Sequence, residues 1–368
     1  MKKLVIIGAN DFQNQLILKA KALGYETHVF AWEEGAVGQD TAVYFYPISI
    51  VEKEEILARC RQIQPDGVCS IASDLATVTV NYVAEQLQLP CNKTAYALIQ
   101  TNKYAMRQAL QQGGLPCPRF LATDKNVDLS LLSDFSFPLI VKPTDRSGSR
   151  NIMKLSSPDG VTEAVAAACA TSFEHKAIVE EYLEGDEYSM ETITQNGNHY
   201  YLATTKKYTT GAPHFIETGH RQPSDLSEAV NQKAIDTVFK ALDALHVENS
   251  AGHSEFKVDR DGNIKIIEIG ARMGGDCIGS DLVYLSTGFD FMKAVIDVAV
   301  GNPITVICNG NGMAEIRFLF TEADIATMQQ YAKQYPDKIY RISDIEYENL
   351  GKVIDSGSRL GYYIIKEG

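Results

Sequence analysis

The chain has 368 residues and a net charge of −13, with 45% of its residues hydrophobic and 22% charged. That length suits two or three domains rather than one core, and the acidic balance would repel a phosphate backbone, so nucleic acid is not an expected partner. No apolar run approaches the roughly 20 residues that span a bilayer, which argues against a membrane partner. Seven cysteines without a CxxC pair resemble neither a zinc site nor a disulfide framework, so a reducing cytoplasm is the expected location.

Met1-Lys2-Lys3 followed by Leu4 to Ile7 imitates a signal peptide, but Gly8-Ala9-Asn10-Asp11 ends the apolar stretch too soon and leaves a first buried strand. A helix follows with Phe12, Leu16, Ala20 and Leu23 on one stripe, then a strand from Thr27 to Ala31, which is a βαβ opening. Gly67 to Ile71 reads as another buried strand and Thr77 to Leu87 as a helix closing before Leu89-Pro90. The expected result is a doubly wound parallel sheet over residues 1–93. After a helical stretch from Thr94 to Gln112, Gly113-Gly114-Leu115-Pro116 introduces strands at Phe137 to Val141, Asn151 to Leu155 and Ile178 to Glu181, with a helix near Pro158 to Ser172. Asn196-Gly197 between two alternating runs is a type I′ hairpin signal. A long helix carrying Val230, Ala234, Val238, Ala241 and Leu245 leads to a second hairpin at Asp261-Gly262. Residues 304–368 are strand-rich with one helix near Glu322 to Tyr331.

The second hairpin carries the chemistry. If Asp261-Gly262 is a two-residue loop, Arg260 faces Asn263, and counting back sets Glu255 opposite Glu268. Two carboxylates facing each other across a ladder are destabilising without a proton, a basic neighbour or a cation. Mg²⁺, which takes one or two carboxylates together with phosphate oxygens and water, fits such a pair. The plain alternative is a solvated outer face, and a four-residue loop would shift the register. Gly270-Ala271-Arg272-Met273-Gly274-Gly275 follows directly, where glycines let backbone approach a ligand and Arg272 can meet an anion. Earlier, Lys142 ends the apolar strand Phe137 to Pro143 and needs an anionic partner if buried, and Ser147-Gly148-Ser149 can present backbone N–H groups to phosphate. Ile178 to Tyr188 runs an apolar strand into acids and a glycine turn, which is either a surface corner or a place where backbone reads adenine and an acid takes ribose hydroxyls.

In order, Lys103, Lys142, Ser147-Gly148-Ser149, Glu180-Glu181-Tyr182-Leu183, Glu187, Glu255 and Glu268-x-Gly-x-Arg272 resemble the ATP-grasp superfamily over nearly the whole chain. The set is most similar to carboxylate–amine ligases of the group that includes carbamoyl-phosphate synthase, biotin carboxylase and L-amino acid ligases. The resemblance implies an α/β plus α+β protein, with an N-terminal pre-ATP-grasp domain (residues 1–93), a two-lobed ATP-grasp domain (94–303) and a small strand-rich C-terminal domain (304–368). It implies ATP and one or two Mg²⁺ ions as cofactors. Lys103 and Lys142 would contact phosphates under the Ser147 to Ser149 loop, Glu180 with the backbone of Glu181, Tyr182 and Leu183 would bind adenine, and Glu187 the ribose. Glu255 and Glu268 would hold the metal, and Arg272 would steady the transferring phosphoryl group. Many members have asparagine where this chain has Gly270, which puts the second ion in question. The implied reaction joins a small carboxylate to an amine, or to a thiol, through an acyl phosphate, and a homodimer is common among similar enzymes. His220, Arg221 and Arg317 are the candidate substrate contacts. Two other classes compete: an ATP-binding regulatory protein without turnover, and an NAD-dependent oxidoreductase. The latter has only Gly8, the first glycine of a dinucleotide fingerprint, in Gly8-Ala9-Asn10-Asp11-Phe12-Gln13, and Glu33 as its ribose acid.

Overall fold

An uninterrupted apolar run such as Leu4-Val5-Ile6-Ile7 buries both faces only inside a parallel sheet covered by helices. The computed structural model describes residues 1–148, 150–212 and 215–367 and places the run there. Strands β1 (Lys3–Ile7), β2 (Glu26–Phe30), β3 (Tyr44–Tyr46) and β4 (Gly67–Cys69) are parallel in the order β3-β2-β1-β4. Leu4 and Ile6 pack with helix α1 (Asp11–Ala22) on one face, while Val5 and Ile7 pack with α2 (Lys53–Ile63) and α3 (Asp74–Gln86) on the other. The buried stripe of α1 is Gln13, Leu16, Ile17 and Ala20, and Leu23 is exposed, so the predicted stripe is off by about one position. The reason is polar: the Gln13 amide donates to the Ile71 carbonyl at 2.6 Å, an interaction invisible to hydrophobic periodicity. Strand order reverses between β1 and β4, and the loop leaving β4 at this switch point leads into α3, the usual place for a functional loop in such sheets.

The helical stretch after residue 93 is broken at Asn102, whose side chain accepts from the Tyr104 and Ala105 amides, so α4 (Ala97–Thr101) and α5 (Lys103–Gln112) are separate. A small antiparallel sheet follows, built from β5 (Phe120–Thr123), β6 (Leu139–Pro143), β7 (Met153–Leu155) and β8 (Ala177–Glu181) in the order β5-β8-β6-β7. Helix α6 (Val161–Thr171) covers one face of it through Val161, Ala164, Val165 and Ala168.

An eight-stranded antiparallel sheet forms the rest. Its strands are β9 (Asp186–Gln195), β10 (Asn198–Thr209), β11 (Glu217–Gln222), β12 (Ser250–Val258), β13 (Ile264–Gly270), β14 (Met313–Leu319), β15 (Ile339–Ile342) and β16 (Gly361–Glu367). They lie in the order β13-β12-β9-β10-β11-β14-β16-β15, so the C-terminal strands extend the sheet that carries the two hairpins. Asn196 and Gly197 both have positive φ between the paired Gln195 and Asn198, as a type I′ turn demands. Helix α7 (Glu228–Ala244) buries Ala234, Val238, Ala241 and Leu242 against this sheet. Beyond β13, α8 (Val283–Thr287) leads to α9 (Phe291–Ala299), and α10 (Glu322–Gln334) follows β14. Phe291 and Ile296 of α9 share one apolar cluster with Leu4 and Ile6 of β1 and with Ile193 and Ala251 of the large sheet, so the first sheet and the large sheet are joined through a common core.

Asn92 closes the junction between these two bodies. It is fully buried; its Oδ1 accepts from the Glu248 and Asn249 amides at 2.7 and 3.0 Å, and its Nδ2 donates to Ser250 Oγ at 3.1 Å. Asn92→Ala strands two partly buried amides and should lower stability by about 1–3 kcal/mol. Urea unfolding checks this; an unchanged midpoint would contradict the role.

Candidate active site

The metal hairpin reaches its predicted pairing by a route the simple count did not contain. The loop has three residues, Arg260-Asp261-Gly262, because Asp259 N–H donates to the Asn263 carbonyl at 3.1 Å and Gly262 N–H to the Asp259 carbonyl at 3.0 Å. Gly262 takes φ +74°, the left-handed conformation such a loop needs. Val258, Lys257 and Phe256 then pair with Ile264, Lys265 and Ile266, one step away from the predicted register. A bulge at Ile267 restores it, and Glu255 pairs with Glu268. Arg107 donates to the carbonyl of the bulged Ile267, which fixes the irregularity.

Both carboxylates open into a cleft enclosing about 1170 Å³, mouth included. Eight lysines and arginines and seven carboxylates line it, in a chain whose net charge is −13. The cleft is thus locally cationic against an acidic whole. Lys207 of β10 is buried and forms an ion pair with Glu255, and its Nζ also lies 3.3 Å from Glu187 and 3.8 Å from Glu217. Burial alone would lower its pKa, but the three carboxylates outweigh this and hold it well above the ordinary value. Burial likewise opposes the charge on Glu255, and Lys207 with His253 holds its carboxyl well below the usual range. Lys103 Nζ donates to Glu268 Oε1 at 2.9 Å and to the Arg146 carbonyl at 2.6 Å. His253, two residues before Glu255 on the same face, pairs through Nδ1 with the fully buried Glu191; burial pushes the imidazole pKa down, and Glu191 overrides it to about 9. Gly274 N–H donates to Glu191 Oε2 at 3.0 Å, and a Cβ on Gly274 would lie 2.7 Å from His253 Nδ1. The close approach that this glycine permits is therefore to the protein's own His253 and Glu191.

The opposite wall comes from the small sheet. Lys142 at the end of β6 is buried with Nζ 2.7 Å from Glu180 Oε2, and Arg107 Nε lies 2.5 Å from Glu180 Oε1. Glu181 Oε1 accepts from the Ser136 amide at 2.9 Å, while Tyr182 OH accepts from Lys257 Nζ at 3.1 Å. Leu183, Ser147, Gly148 and Glu187 also line the cleft; Ser149 lies outside the described residues.

Lys103, Lys142, Ser147, Gly148, Glu180 to Leu183, Glu187, Glu255, Glu268 and Arg272 are all brought to one cleft. Three substrate candidates are not. His220 is buried beside it, with Nε2 3.5 Å from Asp276 Oδ2 and its ring edge-on to Phe318. Arg221 is exposed on the opposite face because strand side chains alternate. Arg317 lies apart from the cleft lining: its Nε lies 2.5 Å from Glu315 Oε1, and its guanidinium stands 5.9 Å from the Tyr331 ring. The chain order of motifs missed Arg107, Lys207, Asp74 and Glu191. Arg107 sits one helical turn after Lys103, a spacing that could have pointed to it. The first turn does not favour a dinucleotide. The Asn10 side chain accepts from the Phe12 and Gln13 amides, and Gln13 accepts from Asn10 N–H, so the start of α1 is capped by its own residues.

Among the described residues no group of three or more His, Cys, Asp or Glu side chains is arranged to hold a metal ion. Two opposed carboxylates with all-oxygen donors suit a hard cation that brings phosphate and water ligands with it, rather than a resident one. Glu180 shows how strongly the cleft is held together by charge. Burial raises its pKa, but Arg107 and Lys142 bring it down to about 2 from an ordinary 4.5. A carboxyl depressed in the folded state contributes its full stabilisation above the unfolded value and loses it as pH falls toward the folded one. Glu180→Gln should therefore lose about 3 kcal/mol at pH 7, and the gap to wild type should narrow by about pH 3. Urea unfolding at the two pH values measures it, and a gap independent of pH would contradict the pairing.

Residues 135–281 match the family described as the ATP-grasp domain. The carbamoyl phosphate synthase large chain of Thermotoga neapolitana is 23% identical over 339 residues, covering 84% of this chain and 30% of its own length. The alanine–anticapsin ligase of Bacillus subtilis is 27% identical over 203 residues, 47% of this chain and 41% of that protein. The chain thus spans less than half of either relative's length. The crystal structure of L-amino acid ligase from Bacillus licheniformis superposes with a TM-score of 0.80 at 21% identity, covering 100% of this chain and 93% of that one. Residues 135–281 are thus similar to the ATP-grasp domain, and the chain as a whole shares the fold of that L-amino acid ligase.

Proposed function

We propose that the chain is an ADP-forming ligase that activates a small carboxylate as an acyl phosphate and passes the acyl group to an amine. The observation that carries this reading is the opposition of Glu255 and Glu268 across the β12–β13 ladder, in a cleft where eight lysines and arginines stand among seven carboxylates. Two facing acids with lysines and arginines close by suit a triphosphate and the cation that travels with it. The names of the similar proteins support the same class of reaction. In this reading residues 1–93 precede the grasp, 94–303 hold nucleotide and metal, and 304–368 close the substrate side.

The substrate carboxylate oxygen attacks the γ-phosphorus, the bond to the bridging oxygen breaks, and ADP leaves. The amine nitrogen then attacks the acyl carbon, phosphate departs, and the nitrogen loses a proton. Phosphoryl transfer of this kind needs alignment and charge neutralisation rather than a protein nucleophile. Glu255 and Glu268 would hold Mg²⁺, which neutralises phosphate charge when bound. Lys103 and Lys142 reach the phosphates, and Lys207 stands beside Glu255 as a further cation for the transferring group. Glu180 and the backbone of Glu181 to Leu183 face the adenine, with Glu187 toward the ribose. Arg272 meets the phosphoryl group from the glycine-rich stretch after β13. Enclosure of the cleft keeps water from the acyl phosphate.

The test is an ADP-release screen over amino acids and dicarboxylates with candidate amines, with hydroxylamine added in parallel to trap the acyl phosphate as a hydroxamate. Nucleotide binding with no ADP or hydroxamate from any carboxylate would favour a silent ATP-binding protein instead. Once a substrate is found, Glu268→Ala should reduce turnover by about 100-fold or more while staying folded at the assay temperature, with a thermal midpoint lowered by the loss of the Lys103 partner. Wild-type ADP release from that variant would remove the metal assignment.

A further inference from the structure

Position 270 has no side chain, and the space beside it is filled from another part of the fold. A Cβ on Gly270 would stand 3.0 Å from Asp74 Oδ1 and 3.1 Å from both Nε and Cζ of Arg272. Asp74 is the first residue of α3, delivered by the loop that leaves β4 at the switch point of the parallel sheet. Its carboxylate takes Arg272 in a fork, with Nε to Oδ1 at 2.9 Å and Nη2 to Oδ2 at 3.2 Å. The same loop is tied to the glycine-rich stretch by Ala72 N–H donating to the Met273 carbonyl at 3.2 Å. Both Asp74 and Arg272 line the cleft that holds Glu255 and Glu268.

The pairing solves a problem that the cleft creates. A guanidinium on a flexible stem close to Glu255 and Glu268 would fold onto either one, since opposite charges at short range in a partly buried site attract strongly. Such a collapse would consume both the arginine and a carboxylate needed for the cation. A two-point fork to Asp74 fixes the plane of the guanidinium as well as its position, which a single contact does not. The fork needs the volume that any larger residue at 270 would fill.

We propose that Asp74 is a positioning residue of this site: it takes the place of a side chain at 270 and holds Arg272 ready for the terminal phosphate, and glycine at 270 is the condition for that pairing. The assignment rests on the nucleotide reading of the cleft given above. It makes the N-terminal sheet a working part of the site.

The experiment compares wild type, Asp74→Ala, Asp74→Asn, Arg272→Ala, Gly270→Asn and the double variant Asp74→Ala/Gly270→Asn. Each is titrated calorimetrically with ADP and with a non-hydrolysable ATP analogue, both with Mg²⁺, and its thermal midpoint is recorded. Asp74→Ala should weaken the triphosphate analogue about tenfold, as Arg272→Ala does, and leave ADP affinity within about twofold; a purely structural defect would weaken both nucleotides alike. Asp74→Asn, which keeps the shape and one acceptor, should recover part of the loss. Gly270→Asn alone should weaken the analogue at least as much as Asp74→Ala, because its side chain meets the fork. The double variant should bind it more tightly than Gly270→Asn alone. Equal analogue affinity in wild type and Asp74→Ala, or single effects that simply multiply in the double variant, overturns the assignment while leaving the nucleotide reading standing. A wild-type protein that binds neither nucleotide overturns that reading and the assignment with it.

Discussion

Glu255 and Glu268 face each other on neighbouring strands, and like charges so placed repel. The basic groups nearest to them make that opposition tolerable. Lys207 pairs with Glu255 and Lys103 with Glu268, and each lysine is itself buried and dependent on the acid. His253 reaches Glu255 from two residues away and is held charged by Glu191, which in turn anchors the glycine-rich stretch through Gly274. Removing one partner leaves its neighbour as an uncompensated buried charge, which is the costly event in such networks. The cleft therefore has little freedom to be rearranged by single substitutions.

The network also explains why the site needs all three sheets. Lys103 and Glu268 are 165 residues apart, Arg107 and Glu180 are 73 apart, and Asp74 and Arg272 are 198 apart. None of these pairs can form inside one supersecondary unit. The shared core around α9 holds the parallel sheet against the large sheet, and α5, which carries Lys103 and Arg107 on successive turns, packs between the small sheet and the core of the large one. Backbone irregularities are held by the same side chains: Arg107 bonds the carbonyl of the bulged residue that sets Glu268 opposite Glu255.

Much of this was legible in the residue order, and the exceptions are physically specific. Apolar runs and turn residues located the parallel sheet and both hairpins, because these signals are local. The pairing of Glu255 with Glu268 was foreseen from a two-residue loop that does not exist. The real loop has one residue more, and the bulge at Ile267 compensates, so the answer survived an incorrect step. Nothing local announces that bulge, whose partner Arg107 lies far away in sequence. Lys207 was overlooked because Lys206 beside it makes the pair look like a solvated strand end; in fact Lys206 serves Asp186 and Tyr188 on the other face while Lys207 serves the cleft. The same alternation separates His220 from Arg221. Asp74 reads as an ordinary first-turn acid of a helix, and only the fold reveals what it holds.

The pairings bear on how an anionic ligand would enter. Lys103 and Lys142 are already matched to Glu268 and Glu180, and Lys207 to Glu255, so the cations nearest the two opposed acids are committed before any ligand arrives. A triphosphate alone would have to pull lysines from their carboxylates and leave those acids buried and unpaired, at the cost that opposes stripping one member from any buried pair. A triphosphate that brings its own divalent cation avoids this. The lysines would exchange carboxylate oxygens for phosphate oxygens, and Glu255 and Glu268 would hold the metal in place of their lysines. Charge would be conserved around Glu255 and Glu268, and Glu180 would keep Arg107 when Lys142 turns to phosphate. On this argument nucleotide and metal bind as one event in the proposed reaction, and the resting ion pairs of the cleft preserve the shape of the site for both.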